Sequence, residues 1–503
     1  MEETYQHLHS QRFIVVSNRL PVVVKLIEGR PTISPASGGL ITALEPLLKR
    51  NHGVWVGWPG NVDLSEEEAL NLTKEYRSVT GYQLHPVILT KEEVGYFYAG
   101  FSNEVIWPLF HDLQTECHFD PKFWDSYQAV NQKFARKLLP LNEIDDFIWI
   151  HDYHLMLMGQ YLRREGFSPK MSFFLHIPFA PLDIFLKIPW RFEILRGLLQ
   201  YDFIGFQTKR DKRNFIHCIK TLLKDITICK YENHEICVID GREVYIGTFP
   251  ISIDFEEFSS LAKKEEVRLE VELLKGTLNH IRTVLSVDRL DYTKGIPYRL
   301  DGIRRFLEKY PEMHGEVIFL QIIVPSRTDI SKYKDLKILI DQMVSEINSR
   351  FTKPGWVPIQ YMFHPVPREN LVAYYRAADA ILVTPIKDGM NLVVKEYVAA
   401  NVDEMGVVIL SEFAGAAAQM KEHALLVNPY DIEGLADSIH LALNLPTSDR
   451  KRMMQGLRRL IKNEDIYHWI SSIHQATQSS NQRDIPVIEE YVPTEKYTER
   501  DSK

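Results

Sequence analysis

Two cations, Arg289 and Lys294, stand just behind an apolar run, 283–285, that predicts a buried strand. An amphipathic helix is predicted from Ile296 onwards. Ligands of open α/β sheets bind at the carboxyl ends of the strands, and two fixed cations there suit an anion such as a diphosphate. A solvated strand-to-helix loop that carries two charges would have the same residues, so both interpretations stay open at this point.

A second candidate segment, 387–396, follows the predicted strand 380–385 and opens a helix. Free N–H groups at 391–393 and the helix dipole could hold a phosphate. Asp388 lies before the helix, and Glu396 comes two turns later, roughly on the same helix face, where a carboxylate could accept hydrogen bonds from a ribose diol. The competing interpretation makes Asp388 an N-cap and Glu396 a surface acid.

Further polar residues follow other predicted strands: Arg327, Arg19 and His176, with Gly38 and Gly39 at a predicted helix start. Arg327 could hold a substrate phosphate, although an exposed arginine in an ion pair is the alternative. A lone histidine is more often a structural hydrogen-bonding group than a catalyst. Taken together, the strand-end positions from both halves of the chain favour a cleft that handles an anion.

An aromatic group, Trp55, Trp58, Tyr98 and Trp107, lies in the first half of the chain. Most tryptophan and tyrosine side chains belong to the core or lie partly buried. Around a cleft they could also pack on the faces of a sugar ring, and the pattern alone does not choose.

Short apolar runs alternate with helical patterns along the whole chain, which predicts parallel α/β sheets. Strands are predicted at 12–16, 54–58, 147–150, 171–175, 202–206 and 243–246, and then at 283–287, 317–324, 358–363, 380–385, 407–411 and 424–427. The second series is typical of a doubly wound, Rossmann-like domain. We therefore predict two such domains facing a cleft, at 1–250 and 251–480, and a polar tail at 481–503.

Composition excludes several classes of protein. A net charge of −8 over 503 residues argues against binding of nucleic acid by bulk electrostatics. The four cysteines show no CxxC spacing, and neither a signal peptide nor a membrane-length apolar run is present, so a cytoplasmic protein with reduced thiols and no membrane contact is expected. The sequence contains neither a GxGxxG nor a GxxxxGK[ST] motif, so a nicotinamide, flavin or P-loop site is not indicated.

The chain resembles the trehalose-6-phosphate synthase family, retaining glycosyltransferases of the GT-B fold, from about Phe13 to Ile470. The resemblance rests on seven signatures: VSNR at 16–19, SGGL at 37–40, FSN at 101–103 with WP at 107–108, WIHDYHL at 149–155, FLHIPF at 174–179, VDRLDYTKG at 287–295 and DGMNLV at 388–393.

The resemblance implies how a nucleotide-sugar donor would be bound. Arg289 and Lys294 would bind its diphosphate, helped by the amides of Leu392 and Val393. Glu396 would bind the ribose.

The transferred glucose would contact Asp388 and His176, which with Arg289 and Lys294 form the implied catalytic set. Gly38 and Gly39 belong to a loop that would close over the donor.

On the acceptor side, Arg19, Tyr98 and Arg327 would hold the phosphate of glucose 6-phosphate. Three further residues would line the acceptor sugar: Asp152, Trp107 and Trp58.

The implied reaction transfers glucose from a nucleotide sugar, most readily UDP-glucose, to glucose 6-phosphate with retention. Charge stabilisation of the departing diphosphate would carry the step, and neither a metal nor another cofactor is expected. We also expect small-molecule substrates only and a homo-oligomer, either a dimer or a tetramer.

Small departures from the family pattern, Ala180-Pro181-Leu182 and Ser252, lie near the acceptor side and the hinge. They leave open a sister enzyme that uses glycerol 3-phosphate, and a related C–N coupling enzyme. A regulatory homologue without turnover is a third alternative, although such proteins typically lose the donor-site cations that are present here. A two-domain sugar-binding protein is a further alternative, although such proteins usually carry an export signal.

Overall fold

The computed structural model describes residues 11–27, 30–35, 39–61, 64–143, 145–231, 234–278, 281–327, 330–478 and 489–493. Within these ranges, no helix is long and apolar enough to cross a membrane.

The first half of the chain forms a nine-stranded sheet and a separate two-stranded hairpin. Its strands are β1 Phe13–Arg19, β2 Val22–Ile27, β3 Arg30–Pro35, β4 Val54–Trp58, β5 Gln83–Pro86, β6 Phe147–His151, β7 Met171–Leu175, β8 Phe203–Phe206, β9 Ile226–Lys230, β10 Glu235–Ile239 and β11 Arg242–Thr248. The sheet has the order β5-β4-β1-β6-β7-β8-β11-β10-β9, and β2 pairs with β3. All its pairings are parallel except those of β10.

Helices cover both faces of this sheet, which is why its central strands are apolar throughout rather than alternating. They span Gly39–Arg50, Glu66–Thr80, Lys91–Glu93, Trp107–Phe110, Pro121–Leu138, Met158–Arg164, Leu182–Phe185, Arg191–Leu198 and Lys209–Leu222. A π-helix at Val94–Ile106 and 3₁₀ turns at Gln114–Glu116, Leu139–Leu141 and Tyr153–Leu155 complete this half.

The second half forms a six-stranded parallel sheet. Its strands are β12 Arg282–Arg289, β13 Val317–Val324, β14 Ile359–Met362, β15 Ala380–Val383, β16 Val407–Ser411 and β17 Leu425–Val427, in the order β14-β13-β12-β15-β16-β17. That is the doubly wound strand order of dinucleotide-binding domains.

Ten helices belong to the second half of the chain among the described residues. They span Phe255–Lys263, Glu265–Thr277, Ile296–Lys309, Ser331–Phe351, Arg368–Ala377, Leu392–Ala400, Ala417–Met420, Ile432–Asn444, Thr447–Asn463 and Ile466–Gln478, with 3₁₀ turns at Tyr292–Lys294 and Pro311–Met313.

The last helix, Ile466–Gln478, packs on the first sheet rather than the second. The Trp469 ring lies 4.8 Å from that of Trp149, and its Nε1 donates to the Phe249 carbonyl at 3.1 Å. His474 lies 5.7 Å from the ring of Phe13, at the start of β1. The chain therefore crosses between the two sheets twice, and the predicted boundary at 250 stays a prediction.

The predicted strands all occur, most within two residues of their bounds, whereas several elements were not anticipated. Residues 28–29 and 36–38 lie outside the described part of the chain. The hairpin, β5, β9, β10 and the π-helix were not anticipated. The strands among them lie at or next to a sheet edge or in the separate hairpin. The π-helix depends on a hydrogen-bond period that side-chain patterns do not reveal.

Candidate active site

Each sheet has one point where the strand order reverses, and the predicted site residues lie at these two points. In the first sheet it lies between β1, which ends at Arg19, and β6, which ends just before Asp152. In the second it lies between β12, which ends at Arg289, and β15, which precedes Asp388. Crevices at such points are where open α/β sheets bind ligands.

A cavity of about 310 Å³ opens between the two sheets. Residues from both halves of the chain line it: Ser17, Asn18, Arg19, Leu40, Ile41, Trp55, Tyr98, Trp107, Asp152, Tyr153, His154, Arg289 and Arg327. Six of the predicted site residues therefore share one compartment, which is large enough for a monosaccharide phosphate.

Three guanidinium groups act on the hydroxyl of Tyr98. Burial alone would raise the pKa of Tyr98, but the charges of Arg327, Arg19 and Arg289 hold that pKa below its ordinary value. Arg19 also lies over the Trp58 ring, with its Cζ 4.0 Å from the ring centroid. This end of the cavity is thus strongly positive and suits an anionic group.

Arg327 is fixed in place more firmly than the other two arginines. Its Nη1 lies 3.3 Å from Oδ2 of the buried Asp291, its Nη2 donates to the Tyr153 hydroxyl at 3.4 Å, and its Cζ lies 4.3 Å from the Trp107 ring centroid. The backbone of Arg327 has a φ of 50°, an uncommon conformation for a non-glycine residue. Because Tyr153 and Asp291 come from different halves, Arg327 joins the two sides of the cavity.

Asp152 occupies the floor of the cavity in a strained conformation, with a φ of 74°. Burial raises the pKa of its carboxyl to about 6, against the N–H groups of Tyr153 and His176 and the charges of Arg327 and Arg289, which lower it. Backbone strain of this kind persists only where the surrounding structure imposes it. Here it aims a carboxylate at the sugar-sized part of the cavity.

His176 follows β7 and is neutral at physiological pH, because burial lowers its pKa to about 3. Its Nε2 lies 3.1 Å from His151 Nδ1, and its Nδ1 lies 3.4 Å from Gln207 Nε2. A neutral imidazole cannot supply a positive charge, and a sugar hydroxyl that hydrogen-bonds this ring would have to replace one of these two partners.

Lys294 and Asp388 form a partly buried ion pair, with Nζ and Oδ2 2.6 Å apart. Burial would raise the pKa of Asp388, but the Lys294 ammonium and the Asn391 amide hold it below its ordinary value. Asp388 is therefore ionised. A ligand that contacts the Asp388 carboxylate would also lie within reach of the Lys294 ammonium.

The helix after β15 begins at Leu392, and Asn391 is its N-cap, whose side-chain oxygen accepts a hydrogen bond from the Val394 N–H at 3.1 Å. The expectation that Asp388 and Glu396 share a helix face is wrong, because Asp388 lies in the loop before the helix. The N-cap interpretation of Asp388 is wrong for the same reason. The first-turn amides of Leu392 and Val393 have no intrahelical acceptors and remain candidates for a phosphate.

Glu396 lies one turn further along this helix and accepts a hydrogen bond from the Tyr375 hydroxyl at 2.9 Å. It is not a surface acid, since burial raises its pKa to about 7, against the lowering effects of Tyr375 and Arg368.

Gly389 brings the two halves into direct contact. A Cβ at this position would lie 2.1 Å from the carbonyl oxygen of His176. Gly39 is the first residue of its helix, and Gly38 lies outside the described residues.

Comparison with known proteins adds the decisive finding. The profile of glycosyltransferase family 20 matches residues 11–479. The chain belongs to glycosyltransferase family 20. It is 38% identical to the trehalose-6-phosphate synthase of Mycobacterium leprae, over 95% of this chain and 97% of that protein.

Solved structures of family 20 enzymes have the same fold. A Burkholderia xenovorans trehalose-phosphate synthase in complex with glucose-6-phosphate superposes with a TM-score of 0.83 at 33% identity, covering 93% of this chain and all of that one. An E. coli structure bound with UDP-2-fluoro glucose gives 0.82 at 34% identity, covering 93% and 99%. The predicted GT-B fold, the family resemblance and the glycosyltransferase class are confirmed.

The roles assigned to individual residues stay predictions for this family 20 glycosyltransferase. Across the described residues, no group of three His, Cys, Asp or Glu side chains is placed to hold a metal ion, and the expectation of a metal-free reaction also stays a prediction.

Sequence reasoning missed several residues that shape the site: Tyr153, His154, Asp291, Gln207 and Lys395. Asp291 and the pair Tyr153-His154 lie inside quoted signatures, so their proximity to Arg327 and Asp152 could have been suspected. Gln207 and Lys395 carry no such signal, because their partners, which include the Ile251 peptide, lie far away in the sequence.

The raised pKa of Glu396 predicts a pH-dependent stability difference for Glu396→Gln. The folded state binds the Glu396 proton more tightly than the unfolded state, so wild-type stability falls as pH rises from about 4.5 to about 7. The glutamine variant lacks this loss. Its free energy of unfolding relative to wild type is expected to rise by roughly 2 kcal/mol between pH 5 and pH 8, measured by chemical denaturation.

The exposed Glu266→Gln variant controls for the loss of one charge elsewhere. A Glu396→Gln difference that is the same at pH 5 and pH 8 would contradict the raised pKa.

Proposed function

We propose that this glycosyltransferase moves glucose from UDP-glucose to glucose 6-phosphate with retention, giving α,α-trehalose 6-phosphate and UDP. The observation that carries the proposal is the cavity in which Arg19, Arg327 and Arg289 surround Tyr98 beside Asp152. Its volume and its charge suit a phosphorylated monosaccharide. The ligands named for the Burkholderia and E. coli structures support the same assignment.

The acceptor phosphate would lie at the positive end of the cavity. Arg19 and Arg327 would bind it with charge-assisted hydrogen bonds, and the Tyr98 hydroxyl would donate a further one. Asp152 would accept hydrogen bonds from the sugar hydroxyls. Trp107 offers a buried Nε1 that has no acceptor among the described residues, and it would donate to the same sugar.

The donor diphosphate would lie between Arg289, Lys294 and the first-turn amides of Leu392 and Val393. Glu396 would accept hydrogen bonds from the ribose diol. Lys294 already spans the distance to Asp388, so it would place the diphosphate next to the carboxylate that contacts the transferred glucose.

In the transfer itself, the bond between the glucose anomeric carbon and the phosphate oxygen breaks, and a bond to the acceptor anomeric oxygen forms on the same face. The departing phosphate takes the acceptor proton. Arg289 and Lys294 stabilise the charge that develops on the diphosphate. Neutral His176 and ionised Asp388 orient the glucose hydroxyls.

The test is a screen of donors and acceptors with the purified chain, following release of nucleoside diphosphate and the anomeric configuration of the product. UDP release that requires glucose 6-phosphate, with an α,α-linked product, is expected. Release only with glycerol 3-phosphate, or only with a GDP or ADP sugar, would replace the acceptor or the donor named above. No release with any pair would overturn the enzymatic assignment of these substrates.

The acceptor role of Arg19 predicts a selective defect in Arg19→Ala. Losing one charge-assisted contact should raise the KM for glucose 6-phosphate by about 10- to 100-fold, while the affinity for UDP stays within about twofold by calorimetry. Arg164→Ala, which removes an arginine that also lies near an aromatic ring but on the outer surface, is the matched control. An equal loss of UDP affinity would contradict the role.

A further inference from the structure

Lys395 is a fully buried lysine on the helix Leu392–Ala400, between Val394 and Glu396. Its Nζ donates to the Ile251 carbonyl at 2.8 Å and to the Gln419 side-chain oxygen at 3.0 Å. A buried ammonium is costly unless its partners satisfy it, and burial lowers the pKa of Lys395 to about 7 although Glu464 raises it. Packing alone therefore does not explain why a lysine occupies this position.

The Ile251 peptide lies in the segment 249–254, which leads from β11 of the first sheet to the helix Phe255–Lys263. Both polar groups of Ile251 are held by side chains. Its N–H donates to Gln207 Oε1 at 2.9 Å, and its carbonyl accepts from Lys395. Gln207 follows β8 of the first sheet, whereas Lys395 follows β15 of the second. Side chains from both halves of the molecule therefore hydrogen-bond to one linker residue, Ile251.

The same contacts reach the candidate site at both ends. Gln207 Nε2 lies 3.4 Å from the ring of His176, which contacts the transferred glucose in the proposed function. Lys395 immediately precedes Glu396 and lies within one turn of the amides of Leu392 and Val393. A continuous series of hydrogen bonds therefore joins the sugar side of the cleft to the helix that would bind the nucleotide.

We infer that Lys395 is a positioning residue: its bond to the Ile251 carbonyl holds the helix Leu392–Ala400 against the linker and so sets the spacing between Glu396 and His176 across the cleft. The inference rests on the proposed function for the identity of the substrates. It adds a residue whose role is to fix the second half relative to the first, not to touch either substrate.

A loss of this contact should separate nucleotide binding from turnover. The nucleotide contacts all come from the second half, so Lys395→Met should bind UDP within about twofold of wild type by calorimetry. Turnover needs both halves in register, so kcat should fall by about 10-fold or more. Lys395→Gln, which keeps amide donors on a shorter side chain, should show a smaller loss, and the exposed Lys220→Met should match wild type.

A second measurement does not depend on activity. Hydrogen–deuterium exchange of the peptide that contains residues 249–254 should accelerate most in Lys395→Met, where the Ile251 peptide is held from one side only, and less in Lys395→Gln, whose shorter side chain holds the carbonyl less well. Exchange equal to wild type in both variants would overturn the inference, whatever the activity. So would a fall in UDP affinity as large as the fall in kcat, since that pattern means a damaged nucleotide helix.

The double variant Gln207→Leu/Lys395→Met supplies the final check. If both side chains act through Ile251, their effects on kcat should be clearly less than multiplicative. Multiplicative losses would show that they act independently and would overturn the inference. If the wild-type chain is inactive with UDP-glucose and glucose 6-phosphate, the proposed function is contradicted. The hydrogen–deuterium exchange measurement then still decides whether Lys395 holds the Ile251 peptide.

Discussion

Arg289→Ala is expected to lower kcat by about 1000-fold, the effect of removing one donor that stabilises charge developing in a transition state. Arg289 ends β12 at the reversal point of the second sheet, and it is exposed in the cleft. It forms no ion pair with any described residue, so it can meet a diphosphate without leaving a carboxylate, although its charge also acts on Tyr98. Lys294, in contrast, shares its charge with Asp388.

The measurement is steady-state release of nucleoside diphosphate together with the melting temperature. The Arg289 side chain is exposed, and its Cζ lies 5.9 Å from the Trp107 ring centroid, a weak contact, so the melting temperature should change little. Arg452→Ala, at an arginine whose side chain is 74% exposed on the helix Thr447–Asn463, removes the same charge outside the cleft and should leave kcat unchanged. Near-normal turnover in Arg289→Ala would reject Arg289 as the residue that stabilises the leaving group.

Gly389→Ala is expected to lower kcat by about 100-fold through geometry alone. The added methyl carbon would lie 2.1 Å from the His176 carbonyl oxygen and 3.2 Å from the Ile177 Cα. These are backbone atoms of the other half, which cannot rotate away as a side chain can. The two halves must therefore move apart, and the separation falls where Asp388 and His176 would meet the glucose.

Because each half keeps its own fold, UDP affinity in Gly389→Ala should remain near that of wild type, which calorimetry can check. Gly276→Ala is the matched control, since a Cβ at Gly276 meets no atom within 4 Å and lies inside a helix, where alanine is favoured. Wild-type kcat in Gly389→Ala would mean that the halves need not touch here during turnover.

Much of the fold was accessible from sequence because both sheets are mostly parallel and buried on both faces, so their strands are continuous apolar runs such as 171–175 and 317–324. The edge strands were not accessible. β9 is only partly buried and mixes polar with apolar residues, so its pattern is that of a loop. The π-helix that carries Tyr98 depends on backbone hydrogen bonds, which no side-chain period reports.

The sequence predicted those candidate-site residues that lie at the ends of strands. Arg19, Asp152, His176 and Arg289 follow apolar runs, and parallel strands bring such positions to one edge. What the sequence could not supply is the pairing between elements. The Asp388–Lys294 ion pair, the Arg327–Asp291 contact and the Lys395–Ile251 bond each depend on how separate loops and helices pack, so no local pattern predicts them.

The final helix, Ile466–Gln478, has a consequence for how the chain reaches its native state. Its residues His474 and Trp469 complete a core whose other members include Phe13 and Trp149, so the partners are 461 and 320 residues apart in sequence. During synthesis, the face of the first sheet that this helix covers therefore stays uncovered until almost the whole polypeptide has been made. We expect folding intermediates with this apolar face exposed, and strong dependence on chaperones for any chain that stops before Ile466.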